Sequence, residues 1–388
     1  MFDELEQKAL STIHANIIQT ESGDLLAAGG NQFRTFWTRD FCFSVPGLLA
    51  YGFESLVEGQ LKSLFSFKNS QNLLPRGLDQ IPPQFRVVWN TFFRGRRVPF
   101  SSKDKKIEPE YYGEHGTPAF DSNLLFIQSV CLLAKFQKRA LIISNQQIQE
   151  LLNFYQQYFK DSCLHQPKFS DWQDSARREG EIFHTQLLYH DVLEILSEFD
   201  GFEFVHNNLK KSRTALFQWP RSEEGLFFET KLKNQFSLDS HCRLLSSSKL
   251  LNAAERKELY SVLKNSKLWL KGLVPGQPVF PDYLADQISW TCQSVGLRHY
   301  HDQFYWGWLI AEAAKLTYAF GDNLEGDRIL ATLHGADNNK YISEVYEIKN
   351  AYLLPVKRFF YQSENPFTWS AAKCLEALAE KASRSKIK

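Results

Sequence analysis

FDSNLLFIQSVCLLAKFQ, Phe120 to Gln137, followed by SNQQIQELLNFY, which ends at Tyr155, decides the fold. Both runs carry apolar residues at helical spacing, with a short polar break between them, so they read as two consecutive helices. LDSHCRLLSSSKLLNAAERKELYSVL, Leu238 to Leu263, follows the same plan. Each unit opens on Asp-Ser ahead of an apolar helix. An Asp or Ser at a helix start accepts hydrogen bonds from free backbone N–H groups, which is the structural reading of Asp121 and Asp239.

Outward from these units, the 3.6-residue period predicts about twelve helices, centred near residues 12, 46, 60, 130, 152, 190, 210, 244, 260, 311, 330 and 375. Strand-like alternation is short and local, at Val87–Trp89 and Ile342–Tyr346. No linker or low-complexity run divides the chain, so a single domain over residues 1–388 is expected. Helices in paired succession predict an all-α fold: a closed ring of helical hairpins, with an inner ring inside an outer one. Loops at one end of such a ring converge on a central hollow, where a ligand belongs. The longest loop, Asn69 to about Phe120, carries the basic tract Arg94-Gly-Arg-Arg97 to Lys103-Asp-Lys-Lys106. A loop of that length is functional or disordered, and the tract reads as a solvated surface or a phosphate site.

With 45 basic and 44 acidic residues the formal charge is +1. That balance gives no electrostatic reason to expect nucleic acid or an anionic membrane as partner. Aromatic residues make up 14% of the chain, which suits a large helical core and also a sugar site, where ring faces stack on C–H patches. Cys42, Cys131, Cys163, Cys242, Cys292 and Cys374 form no CxxC pair and read as free thiols of a reducing compartment. The opening MFDELEQKALSTIHANI has no secretory pattern, and no window reaches a membrane-spanning length. A cytoplasmic location is expected.

Four clusters can carry chemistry. FSDWQDSARREG, Phe169 to Gly180, sets Asp174 after Trp172 and Gln173 and before Arg177 and Arg178. An aromatic neighbour raises a carboxyl pKa by desolvation and a guanidinium lowers it; a general acid needs that balance near working pH. The structural reading is a surface loop with solvent-exposed ion pairs. FRTFWTRDF, Phe33 to Phe41, puts Arg39 and Asp40 beside Trp37 in an apolar setting, where charge needs a partner. HDQFYWGW gathers His301, Asp302 and Gln303 beside Trp306 and Trp308; Asp302 can equally be a helix cap. SEVYEIKN, Ser343 to Asn350, precedes QSENPFTWSAAKCLEAL, Gln362 to Leu378. Alternation along a short strand would put Glu344 and Tyr346 on one side and Glu347 on the other. Two carboxylates on separate loops are what glycosidic cleavage needs, but Asp174 and Glu344 stand 170 residues apart (344 − 174).

In order along the chain, five segments resemble a clan of (α/α)6-toroid glycoside hydrolases. The clan includes the amylo-α-1,6-glucosidases of glycogen debranching, the neutral/alkaline invertases and the processing-type α-glucosidases. The segments are FWTRDFCFSVPGLLAYG, NLLPRGLD, FDSNLLFI, DWQDSARREGEIFHTQLLYHDVL, and SEVYE with the later PFTWSAA, together covering about Phe33 to Leu378. The resemblance implies an (α/α)6 toroid, with Asp174 matching the general acid and Glu344 the general base of an inverting hydrolase. Arg39, Asp40 and Asp121 match sugar-binding positions. Trp37, Trp172, Gln173, Arg178, His301, Asp302, Gln303, Trp306, Tyr346 and Trp369 complete the expected sugar contacts.

The expected substrate is a small α-glucoside or short oligosaccharide, with no metal or organic cofactor. The sequence departs from the clan where Glu347 and Ile348 stand in place of a Gly after the Glu-x-Tyr-Asp pattern, and where HDQ replaces the more usual polar sets. These departures leave the substrate open. A sugar phosphorylase using the basic tract, and a carbohydrate-binding protein that has lost the reaction, are the alternative readings. An isomerase of similar fold relies on histidine pairs, and His299 with His301 is the one close pair.

Overall fold

The computed structural model describes residues 1–82, 85, 86, 88, 89, 93, 106–231, 235–246, 249–336 and 340–385. Among the described residues twelve helices make the frame: α1 Phe2–Asn16, α2 Thr38–Ala50, α3 Glu54–Ser66, α4 Ser122–Gln137, α5 Asn145–Asn153, α6 Phe183–Leu196, α7 Val205–Phe217, α8 Leu238–Ser246, α9 Ala253–Asn265, α10 Gly307–Ala319, α11 Asn323–Ala336 and α12 Thr368–Ser385. Each centre expected from periodicity falls inside one of them. Two shorter helices, Lys267–Leu270 and Trp290–Ser294, add to the loops.

The even-numbered helices close a ring, each packing on the next from α2 through α4, α6, α8 and α10 to α12, and α12 back on α2. The odd-numbered helices lie outside, α3 and α5 on α4, α7 on α6, α9 on α8, α11 on α10 and α1 on α12. The sequence explains which helix goes where. In α4, Leu124, Leu125, Phe126, Ile127, Val130, Cys131 and Leu133 are all buried, so the helix is apolar all round and belongs inside. In α5 only Ile148, Leu151 and Leu152 are buried, a single stripe that suits the outer layer. Ser144 and Gln147 form a capping box that starts α5. One apolar core extends from Leu5 to Leu378.

Gly47 marks a close approach of the inner ring. A Cβ there would lie 2.0 Å from the backbone oxygen of Ala372 on α12. Backbone cannot swing aside as a side chain does, so Gly47→Ala must push α2 and α12 apart. The expected loss is about 1–3 kcal/mol, read by denaturant unfolding.

Short strands anchor the starts of inner helices. Phe36–Trp37, just before α2, pairs with Gly77–Asp79, which pairs with Glu108–Glu110. Phe236–Ser237 before α8 pairs with Val279–Phe280. Tyr305–Trp306 before α10 pairs with Val345–Lys349, which pairs with Tyr352–Pro355. The strand expected at Ile342–Tyr346 therefore begins later, at Val345. The strand expected at Val87–Trp89 is not formed: Val88 and Trp89 are helical, and Val87 lies outside the described residues. The basic tract from Arg94 to Lys105 also lies outside them, while Lys106 is exposed. No described helix is long and apolar enough to cross a membrane. All six cysteines are free thiols, five buried and Cys292 half-buried.

Candidate active site

The starts of α2, α10 and α12 meet the loops before α6 and α12 around a concave cavity, where a small-molecule ligand belongs. Trp37, Arg39 and Asp40 reach it from α2, Trp306 from the residue before α10, and Trp369 from α12. Trp172 and Asp174 enter from the loop before α6, and Glu344 from the residue before its strand. Asp174 and Glu344 thus line one hollow. His301, Tyr300 and Arg76 complete its polar wall.

Arg39 is aimed by Asp121. Its Nε donates to Asp121 Oδ2 at 2.7 Å and its Nη2 to Asp121 Oδ1 at 3.0 Å, a two-bond pairing that fixes a guanidinium in plane. The remaining Nη1 lies 3.5 Å from Asp174 Oδ2. Arg76 Nη2 donates to that same oxygen at 2.8 Å. Burial pushes the Asp174 carboxyl up, but Arg76 and then Arg39 outweigh it and hold the group below the usual carboxylate range.

Glu344 is in the opposite condition. Burial pushes its carboxyl up to about 7, although two phenols donate to it. Tyr300 donates to Oε1, and Tyr361 to Oε2 at 2.6 Å. The backbone around it is pinned: Gly307 N–H donates to the Glu344 carbonyl at 2.9 Å, and Glu344 N–H to Glu364 O at 2.9 Å. Asp40 is likewise raised to about 7, by burial first, with Arg39 opposing. Burial depresses His301 to about 4, so its ring is neutral near pH 7.

Both ring nitrogens of His301 and the indole N–H of Trp369 are buried without a hydrogen-bond partner. Buried polar atoms are rarely left so, and these line the cavity, so they are available to a polar ligand. The aromatic wall is held in register. His301 stacks on Trp306 at 5.4 Å, and Trp172 stands edge-on to both Trp306 and Trp369. The Trp172 indole N–H donates to Asp239 at 2.7 Å, and Asp239 lies 2.8 Å from His184.

Six expected sugar contacts sit elsewhere. Asp121 is buried on Arg39, one step behind the cavity. Gln173 is buried with its Oε1 accepting from Tyr283 O–H at 2.7 Å. Arg178 is buried between Asp171 and Glu229 and lines a separate cavity. Asp302 accepts from Tyr283 N–H at 3.2 Å and from Arg298. Gln303 donates to Asp282 at 2.6 Å. Tyr346 is fully buried with its hydroxyl on the Ser343 backbone. Glu344 precedes the strand, so the alternation that placed it beside Tyr346 does not reach it. Among the described residues Asp282, His299 and Asp302 are spaced for a metal ion, but Lys271 already neutralises Asp282 and Arg298 neutralises Asp302.

Arg76, Tyr300 and Tyr361 were not anticipated. Arg76 stands in the turn NLLPRGLD and Tyr300 directly before His301, so position beside a recognised motif was the one available signal. Tyr361 also lines a second, outer cavity of about 1070 Å³, which shares Phe33, Arg76, Asp174 and Tyr300 with the first. Asp174 therefore stands at the junction of the two, whereas Glu344 faces the inner one.

No protein-family model and no curated protein matches this sequence. Similar folds occur among solved structures. A glycosidase in complex with glucose aligns over 98% of both chains with a TM-score of 0.62 at 14% identity. A GH63 mannosylglycerate hydrolase from Thermus thermophilus, in complex with Tris, aligns over 96% of this chain and 99% of its own, with a TM-score of 0.63 at 11% identity. The chain has the fold of these glycosidases. A rhamnosidase from Klebsiella oxytoca with rhamnose bound covers 100% of this chain and 64% of its own, with a TM-score of 0.65 at 10% identity. The two concentric rings are the (α/α)6 toroid, and the cavity between Asp174 and Glu344 opens at the starts of its inner helices.

Proposed function

We propose that the protein is an inverting glycoside hydrolase, with Asp174 as general acid and Glu344 as general base. One observation carries this reading: two carboxyl groups from distant parts of the chain line one cavity walled by tryptophans, and one of them stands where that cavity meets a second. A glycoside lying across the junction has its ring in the inner cavity and its leaving group in the outer. Its glycosidic oxygen then lies beside Asp174. Glu344 takes a proton from water, the water oxygen bonds to the anomeric carbon, the bond to the glycosidic oxygen breaks, and that oxygen takes the Asp174 proton. Asp40, His301 and Trp369 are the groups that hold the ring hydroxyls. The likeness in fold to a glycosidase in complex with glucose and to a rhamnosidase with rhamnose bound supports a sugar as the ligand. The substrate we favour is an α-glucosidic bond in a small glucoside or short oligosaccharide.

The test is a panel of disaccharides and glucosides, followed by proton NMR from the first minutes. The expected result is release of sugar from an α-glucoside, with the β anomer appearing first. First appearance of the α anomer contradicts the assignment of Glu344 as a base. Release that requires phosphate identifies a phosphorylase instead, and binding of sugar without release identifies a binding protein.

A further inference from the structure

Arg76 touches an acid at the junction and lines both cavities. Its backbone is fixed, with its N–H donating to Glu110 O at 2.6 Å and its carbonyl accepting from Thr38 N–H at 3.0 Å. Its side chain has two carboxylate partners: Nη2 reaches Asp174 Oδ2 at 2.8 Å and Nη1 reaches Glu110 Oε1 at 2.9 Å. The guanidinium lies over the Trp37 ring, 4.6 Å from its centroid. Glu110 is itself held by Arg86 Nη2 at 2.8 Å, so it remains a seat for Arg76 whatever Asp174 does. A cation with two partners can release one without becoming a lone buried charge, which is the costly outcome.

The other charged group on Asp174 is less free. Arg39 is committed to Asp121 by two bonds and stands farther off, at 3.5 Å. His301 acts on Asp174 from the cavity wall. Asp174 in turn acts on Asp40 and Glu344 in the inner cavity and on the Cys292 thiol in the outer wall. Among these, Arg76 is the cation placed where an incoming leaving group must pass.

We propose that Arg76 controls the proton on Asp174: it keeps the carboxylate charged in the empty site, and a leaving group entering the outer cavity displaces it from Asp174 while it stays on Glu110. The first half stands on geometry alone; the second rests on the hydrolase reading. The consequence is a free enzyme whose protons sit the wrong way round, with Asp174 ionised and Glu344 half protonated near pH 7. Turnover needs the reverse. For that order of groups, the acid-side limb of kcat/KM follows Asp174 and the alkaline limb follows Glu344.

The test is a carboxyl carbon-13 NMR titration of the whole chain, with Asp174→Asn assigning the Asp174 signal. The wild-type signal is expected to titrate below the ordinary aspartate range. In Arg76→Gln its midpoint moves up; in Arg76→Lys, which keeps the charge, it stays near the wild type. With a substrate found by the glycoside panel, the acid limb of kcat/KM moves up with the NMR midpoint in Arg76→Gln. In the wild type, the acid limb of kcat lies at higher pH than that of kcat/KM, because bound substrate has displaced Arg76. An unchanged Asp174 midpoint in Arg76→Gln overturns the proposal, as does a wild-type midpoint at or above the ordinary range should that variant not fold. Coincident acid limbs for wild-type kcat and kcat/KM overturn the displacement. The titration needs no substrate, so a failure of the hydrolase reading and a failure of the Arg76 proposal are told apart.

Discussion

Asp174→Asn and Glu344→Gln are each expected to lower turnover by about 10²–10⁴-fold, the usual worth of a positioned acid or base, while the fold survives. Survival follows from the surroundings. Without the Asp174 charge, Arg76 keeps Glu110 and Arg39 keeps Asp121, so neither cation is stranded. Burial already pushes Glu344 up to about 7, so a neutral amide of the same shape suits its pocket. One of Tyr300 and Tyr361 can still donate to the remaining carbonyl oxygen, and the hydroxyl of the other can turn to accept from the amide N–H. The double variant should be little worse than either single one, since acid and base act in one step. Kinetics with circular dichroism as the fold control measures this. The pH dependence belongs to the same prediction. Above about 7 Glu344 loses its proton while Asp174 is already ionised, so none is left for the leaving oxygen and kcat/KM falls. Wild-type turnover in either single variant removes that residue from the reaction.

Asp121→Ala is expected to cost about 3–5 kcal/mol of stability, the range for breaking a buried ion pair by removing one partner. Arg39 is 8% exposed and Asp121 1% exposed, so without Asp121 the guanidinium has little water to turn to and keeps only its longer contacts, to Asp174 at 3.5 Å and to the Ser170 carbonyl at 3.4 Å. Turnover falls as well, because Arg39 loses the two bonds that aim it between Asp121 and Asp174. Asp121→Asn keeps one acceptor and should fall between the wild type and Asp121→Ala in both readouts. Denaturant unfolding gives the stability, and kinetics on the folded fraction gives the activity. A loss below about 1 kcal/mol for Asp121→Ala, well under the range for such a pair, contradicts the account of Arg39 as an aimed, buried charge.

The rings were legible because burial is written into periodicity. A helix such as α4, apolar on every side, can only lie inside, and a helix with one stripe, such as α5, can only lie outside. The carboxylates were legible by the motifs around them. Their meeting was not, since 170 residues separate them (344 − 174) and only ring closure joins the two loops. Asp121 shows a further limit. An Asp-Ser at a helix start looks like a cap, but its side chain makes no cap hydrogen bond and instead holds an arginine from another inner helix. HDQ shows another: His301 turns to the cavity, while Asp302 and Gln303 serve the neighbouring loop at Asp282 and Tyr283. Polarity of a segment does not say which of its side chains faces inward. Arg76 lies inside the recognised turn NLLPRGLD, but nothing there signals its role, because what it does depends on Glu110 and Asp174 from two other segments.

The most direct test of the central claim is a crystal structure of Glu344→Gln with an uncleaved glycoside bound. The account predicts a sugar ring in the inner cavity, with its glycosidic oxygen within hydrogen-bond distance of Asp174. A water should lie between the amide introduced at position 344 and the anomeric carbon, with the two side chains about 6.5–9.5 Å apart across the ring. A sugar bound away from Asp174, or with both side chains on one face of the ring, contradicts it.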